Sequence, residues 1–246
     1  MTYRIIPLVL LKYSGDKSMM THLMYLGQPI IRPFILWVIK GGSKNIIVDT
    51  AIEIEDYKNY HPDFKNLVMD QVMSFEEALQ SVNLAPDKVD IVIQTHLHFD
   101  HCSNTYKCTN AKVVVQKVEL EIAQSPGPFK ALYKKELWNR LNFEVVDGDH
   151  KLLEGIELIH VPGHSLGCQA VSVQTDKGKA IISGFCSIRE NFFPEKTHPF
   201  IGGPVILPGI FMDGVKAYES ILKVKQKADI ILPLHDPEIL KIKEIP

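Results

Sequence analysis

The run Thr95-His96-Leu97-His98-Phe99-Asp100-His101 sets three imidazoles and a carboxylate directly after the apolar stretch Asp90-Ile91-Val92-Ile93. Neutral imidazole nitrogen and ionised carboxylate are the usual ligands of a divalent metal. Residues two apart on an extended backbone point the same way. His96 and His98 are therefore expected to face one metal, while the bend at Asp100-His101 turns that pair toward a second. A chance cluster of surface or core histidines is the alternative. Burying so many protonatable groups together is costly unless something pairs with them, so the pattern predicts a metal site. Such a site needs further ligands from distant sequence, and the fold must bring them in.

The rest of the chain narrows the choice. Its 246 residues suffice for a substantial core, with 46% hydrophobic and 23% charged residues, as in an ordinary globular protein. A net charge of −2 gives no electrostatic reason to expect nucleic acid or an anionic membrane as partner. Apolar stretches such as 33–39 are too short to span a bilayer. The opening Met-Thr-Tyr-Arg lacks the features of a secretory signal. Cys102, Cys108, Cys168 and Cys186 have neither zinc-ribbon spacing nor the density of a disulfide scaffold. A cytoplasmic protein is expected.

Short Val/Ile-rich runs separated by Gly, Pro, Asp or Asn predict strands at Arg4–Leu11, Phe34–Lys40, Asn45–Asp49, Val89–Thr95 and Lys112–Gln116. The same pattern recurs at Phe143–Val146, Ile156–Val161, Ala170–Gln174, Lys179–Ser183 and Asp229–Leu232. Ser74 with Glu77 makes a capping box for a helix over Ser74–Asn83. Asp213 is the expected cap of a second helix, Gly214–Gln226, and a third is expected over Lys130–Leu141. Many strands with interspersed helices and no long linker predict one layered α/β domain over residues 1–246. Two irregular insertions interrupt it, near 55–72 (with Tyr57, Tyr60 and Phe64) and 186–212 (proline-rich and aromatic). Long loops of this kind are usually functional lids or flexible surface; aromatics in the second favour a lid or pocket wall, with simple packing beneath the loop as the alternative.

Two further histidines stand where strands are expected to end. His164 follows Val161-Pro162-Gly163, and His235 follows Pro233-Leu234. Loops after strand ends are the usual place for α/β site residues. Alone, each is as readily a hydrogen-bonded loop histidine; beside the first cluster, ligation is favoured. His22, His61, His150 and His160 are expected to be structural or solvated, and His198 is a minor candidate for substrate contact.

With these residues in place, the sequence resembles the metallo-β-lactamase superfamily, whose signature is His-x-His-x-Asp-His, and within it the N-acyl homoserine lactonases. The resemblance rests on Asp16-Lys17-Ser18-Met19, Ile47-Val48-Asp49-Thr50, Gln94 through His101, Val161 through Ser165, Glu190-Asn191-Phe192 and Leu234-His235-Asp236. It implies a four-layer αββα sandwich with two zinc ions at its edge. His96, His98 and His164 would hold one ion, Asp100, His101 and His235 the other, with Asp49 supporting the ligand loop. The resemblance also implies a bridging aspartate and a tyrosine, at places occupied here by Gly184 and Ser187. No carboxylate lies between Lys179 and Arg189. Cys186 is a candidate substitute ligand, because a thiolate binds zinc well; the alternative is a small buried apolar residue.

The leading expectation is a metal-dependent hydrolase that opens a lactone or cyclic amide by attack of metal-bound hydroxide. Asp100 would orient the nucleophile or shuttle a proton. An iron-dependent oxidoreductase on the same fold is the alternative, and manganese is a further option for the metal. A non-catalytic binding module ranks third. The expected partner is a small-molecule substrate, with a homodimer as an option, and with neither nucleic acid nor membrane.

Overall fold

The computed structural model describes residues 2–62 and 67–246; Phe64, one of the aromatics singled out in the first insertion, lies outside them. Seven strands form one sheet: β1 (Arg4–Asp16), β2 (Pro29–Lys40), β3 (Ile46–Val48), β4 (Met69–Gln71), β5 (Ile91–Ile93), β6 (Lys112–Gln116) and β7 (Phe143–Val146). Their order is β4-β1-β2-β3-β5-β6-β7. The second sheet holds β8 (His150–Leu153), β9 (Ile156–His160), β10 (Gln169–Thr175), β11 (Gly178–Ile182) and β12 (Ile230–Leu232), in the order β12-β11-β10-β9-β8.

The period-two pattern of β2 produces the layering. Phe34, Leu36 and Val38 point outward into a core shared with α1 (Ile54–Tyr60), α2 (Phe75–Ser81), α4 (Lys117–Gln124) and α5 (Lys135–Trp138). Ile35, Trp37 and Ile39 point inward and meet Val171, Val173, Ala180 and Ile182 of the second sheet. Beyond that sheet, Ile159, Ala170 and Ile181 pack on Ile221 and Val224 of α7 (Gly214–Lys227). Helix, sheet, sheet and helix therefore stack as the expected four layers. Strands buried on both faces read as continuous apolar runs, and each fully buried large side chain contributes about 1.5–3 kcal/mol.

β3, β5, β6 and β7 run parallel, so their carboxyl ends line one edge. β11 and β12 are parallel to each other, and β9 shares their direction through its antiparallel pairing with β10. Gln169 ties the two sheets together at this edge. Its amide nitrogen donates to the carbonyls of Gln94 (2.8 Å) and Val114 (3.2 Å), while its oxygen accepts from Gln116 (2.9 Å).

Most predicted strands form close to their expected limits, and the Ser74 capping box and Asp213 cap are both made. Several elements differ. The helix expected over Lys130–Leu141 is only the single turn α5. β8 begins at His150, in what the sequence presents as a polar turn. The first insertion contains α1 and β4 rather than irregular chain, and α4 was not anticipated. Among the described residues, no helix is long and apolar enough to cross a membrane.

Candidate metal centre

The sheet edge formed by those strand ends carries the histidines. Residues 94–98 leave β5 without regular secondary structure, bend at Thr95 and run into the one-turn helix α3 (Phe99–Cys102), which presents Asp100 and His101. His164 follows β9 and His235 follows β12. Six side chains from these stretches form two adjacent groups, His96–His98–His164 and Asp100–His101–His235. Within each group the ligating atoms lie within 4.8 Å of one another. His96 joins the groups, its ring centroid 4.5 Å from His98, 4.9 Å from His164 and 4.2 Å from His101. All five histidines are buried.

The ring orientations are set from behind. His164 Nδ1 lies 2.7 Å from the Ile210 carbonyl, and His235 Nδ1 lies 2.9 Å from the Pro33 carbonyl. A carbonyl only accepts, so each Nδ1 carries the proton and each Nε2 keeps its lone pair. His101 Nδ1 donates to Asp49 Oδ2 at 2.8 Å. Thr95 Oγ1 donates to the same Asp49 oxygen at 2.7 Å, which leaves it free to accept from His96 Nδ1 at 3.0 Å. Asp49 Oδ1 also takes the Thr95 backbone N–H at 2.8 Å. One buried carboxylate thus aligns a ligand in each group, from a residue held at φ 55° directly after β3.

A second buried carboxylate supports the first group alone. Glu119 on α4 accepts the Leu97 N–H at 2.8 Å, the Tyr133 hydroxyl at 3.1 Å and the Ser165 hydroxyl. It therefore joins the loop between His96 and His98 to the loop that carries His164. Tyr133, in turn, sets its ring edge-on against His98 at 4.8 Å. Neither Glu119 nor Tyr133 stood out in the sequence, because each sits in an unremarkable segment and meets its partners only through tertiary contact.

The electrostatics of the two groups differ. Burial, reinforced by neighbouring imidazoles, pushes His96 and His98 well below the usual imidazole range. Burial also lowers His164 to about 4 and His235 well below its ordinary value. His101 rises, because Asp100 and Asp49 outweigh the effect of its burial. Burial opposes charge on Asp100, but His101, His235 and Arg32 hold its carboxyl well below the usual range. His96, His98, His164, His235 and Asp100 are thus deprotonated at neutral pH, and the second nitrogen of His101 faces Asp100 Oδ2 at 3.6 Å. His96 Nε2 and His98 Nε2 are buried without a hydrogen-bond partner among the described residues. Orphaned lone pairs of this kind in the first group fit a divalent cation there, since buried polar atoms are otherwise satisfied.

Cys186 lies in neither group. Its Sγ sits 3.7 Å from Met20 Sδ, in an apolar cluster with Ile188, and burial pushes its thiol up to about 12. The chain has left the strand before Cys186, because β11 ends at Ile182 and Gly184 has φ 78°. A Cβ at Gly184 would lie 2.1 Å from the Gln169 carbonyl oxygen, so this backbone admits no side chain there. Ser187 Oγ is paired with Ser183 Oγ at 2.8 Å. His198, the candidate for substrate contact, is buried with both ring nitrogens engaged, one at the His22 carbonyl and one accepting from Phe200 and Ile201 N–H.

Comparison with known proteins places this geometry. N-acyl homoserine lactonase AiiA of Bacillus thuringiensis subsp. kurstaki is 31% identical over 163 residues, 65% of this chain and 61% of the lactonase. The match thus spans about three fifths of that relative's length. A lactonase from a Bacillus species is 27% identical over 220 residues, 86% of this chain and 82% of its own. The crystal structure of a B. thuringiensis AiiA mutant with N-decanoyl-L-homoserine bound at the active site superposes with a TM-score of 0.79 at 25% identity, covering 98% of this chain and 96% of that one. A probable metal-dependent hydrolase from Staphylococcus aureus, 18% identical, shares the fold with a TM-score of 0.75 over 95% of this chain and 89% of its own. The metallo-beta-lactamase superfamily profile matches residues 36–227, and the chain belongs to that superfamily.

Proposed function

We propose that this protein is a zinc-dependent hydrolase that opens a cyclic ester. The observation that carries the proposal is the pair of three-donor groups sharing an edge, with Nδ1 of His96, His101, His164 and His235 tied from behind and Nε2 of His96 and His98 left without a partner among the described residues. His96, His98 and His164 would hold one zinc, and Asp100, His101 and His235 the other. Zinc bound there lowers the pKa of water toward about 7 and polarises a carbonyl.

The protein's own groups supply orientation and proton transfer. Asp49 fixes His101 directly and His96 through Thr95. Asp100, with 16% of its side chain exposed, is the most open of the six groups and the only carboxylate among them. In the proposed reaction the oxygen of water joins the carbonyl carbon and the ring C–O bond breaks. The proton released from that water passes through an Asp100 carboxylate oxygen to the leaving alkoxide. The lactonase relatives, and the AiiA crystal structure with N-decanoyl-L-homoserine bound, support a lactone over a cyclic amide.

Hydrolysis of a lactone series should vanish on chelation and return with zinc, with about two zinc ions per chain in the active sample. Full turnover by metal-stripped protein would overturn the proposal.

A further inference from the structure

Arg32 lies on β2, beside the second donor group. The next residue, Pro33, gives its carbonyl to His235, and the ring of Phe34 meets that of His235 at 5.4 Å. The guanidinium sits between the rings of Tyr13 and Phe34, 5.0 and 4.9 Å from their centroids. It donates to Met20 Sδ at 3.8 Å, next to Cys186, and its charge is felt at the Tyr57 hydroxyl. Its charge bears on Asp100, His235 and Cys186.

The side chain is short of partners. Arg32 is 9% exposed and its Nε is buried without a hydrogen bond. Among the described residues, no carboxylate forms an ion pair with it. A thioether and a phenol are weak company for a cation that offers five donors in a planar fork. A guanidinium out of water is costly unless a counter-charge meets it, and the fork matches the two oxygens of a carboxylate. The segment between Lys179 and Arg189 brings no acid to this edge. Asp100, the one carboxylate of the donor groups, faces His101.

We propose that Arg32 anchors an anionic group of the substrate, so that the site takes a carboxylate-bearing lactone in preference to its neutral counterpart. The hydrolytic part rests on the function proposed above; the recognition part does not. The test compares zinc-loaded wild type, Arg32→Met and Arg32→Lys on 5-oxotetrahydrofuran-2-carboxylate and on the matching carboxamide. Wild type should favour the carboxylate in kcat/KM by about tenfold to a hundredfold, the span of a charge-assisted hydrogen-bonded pair. Arg32→Met should lose that preference, chiefly through KM for the carboxylate, whose kcat/KM should fall by more than that of the carboxamide.

Calorimetry separates recognition from turnover. Glutarate and glutaramate share one carboxylate and differ in the second end, so wild type should bind glutarate more tightly and Arg32→Met should bind both alike. If neither lactone is hydrolysed, the hydrolase reading fails and calorimetry alone decides the role of Arg32. Equal binding of the two ligands by wild type, or a preference that survives in Arg32→Met, overturns the proposal. Should thermal melting show Arg32→Met unfolded, Arg32→Lys decides: the loss of the fork should cut the preference, and an unchanged preference overturns it.

Discussion

The His96–His98–His164 group and the Asp100–His101–His235 group share an edge of the molecule but are built on different principles. The first is uncharged, and it is braced by Glu119, Tyr133 and the Ile210 carbonyl. The second contains opposed charges: Asp100 and Asp49 surround His101, and Arg32 lies beside them. Position and charge have thus been assigned to different halves of one site. Under the proposed function the first half would hold, and the second would carry charge through the reaction. Asp49 alone serves both, through His101 on one side and Thr95 on the other.

The sharpest way to break this comparison is to remove one ligand from each half. His98→Ala and His235→Ala should each lower zinc from about two ions per chain to about one, and activity should fall below detection. Elemental analysis on the assayed samples checks this; equal loss of both ions in either variant would mean the halves are not separable. Next in size, Asp49→Asn should weaken zinc at both sites by about tenfold to a hundredfold, the usual cost of losing a group that orients a ligand. Chelator competition would resolve the two sites. Glu119→Gln should weaken only the first, by about tenfold, with the second unmoved. If both variants act alike on both sites, the division of labour is wrong.

The smallest expected effect is on pH dependence of the metal-free protein. His96, His98, His164 and His235 titrate below their ordinary value of 6.5 when folded, so the unfolded chain binds protons that the folded chain refuses. Their contribution to stability is present above about 6.5 and is lost as pH falls toward the folded values, about 4 for His164. His101 acts oppositely, its contribution being lost as pH rises through its elevated folded value. Denaturant titrations across this range should show stability falling with acid, and less steeply in His164→Gln. A flat profile in the parent protein would contradict the burial argument.

The parts of this molecule that were legible in the sequence are those whose signal is local. Lys112–Gln116 and Phe143–Val146 are strands to the residue, because a short β-branched run fits a doubly covered sheet whatever surrounds it. Ser74 and Asp213 cap helices through groups three residues away. That His96, His98 and His101 gather at one place was readable, because imidazoles so close together in sequence have few other uses. Elements fixed by long-range pairing were not readable. β4 is a three-residue edge strand whose Met69-Asp70-Gln71 carries no alternation, and only its partner β1 makes it a strand. Glu119, Tyr133 and Arg32 come from ordinary patterns, and their roles exist only once distant loops are apposed. Gly184 shows a further limit: a residue-for-residue comparison treats it as a missing aspartate, whereas the backbone there touches Gln169 too closely for any side chain.

The turn before His164 has one more implication. Gly163, at φ 140°, accepts through its carbonyl from Met212 (2.7 Å) and Asp213 (3.0 Å), and a Cβ there would meet the Ala217 backbone at 2.3 Å. The histidine therefore shares an abutment with the start of the long C-terminal helix, and Ile210 clasps its ring from the same stretch of chain. Any loosening of that helix start would reach His164 and its neighbours mechanically, within one residue.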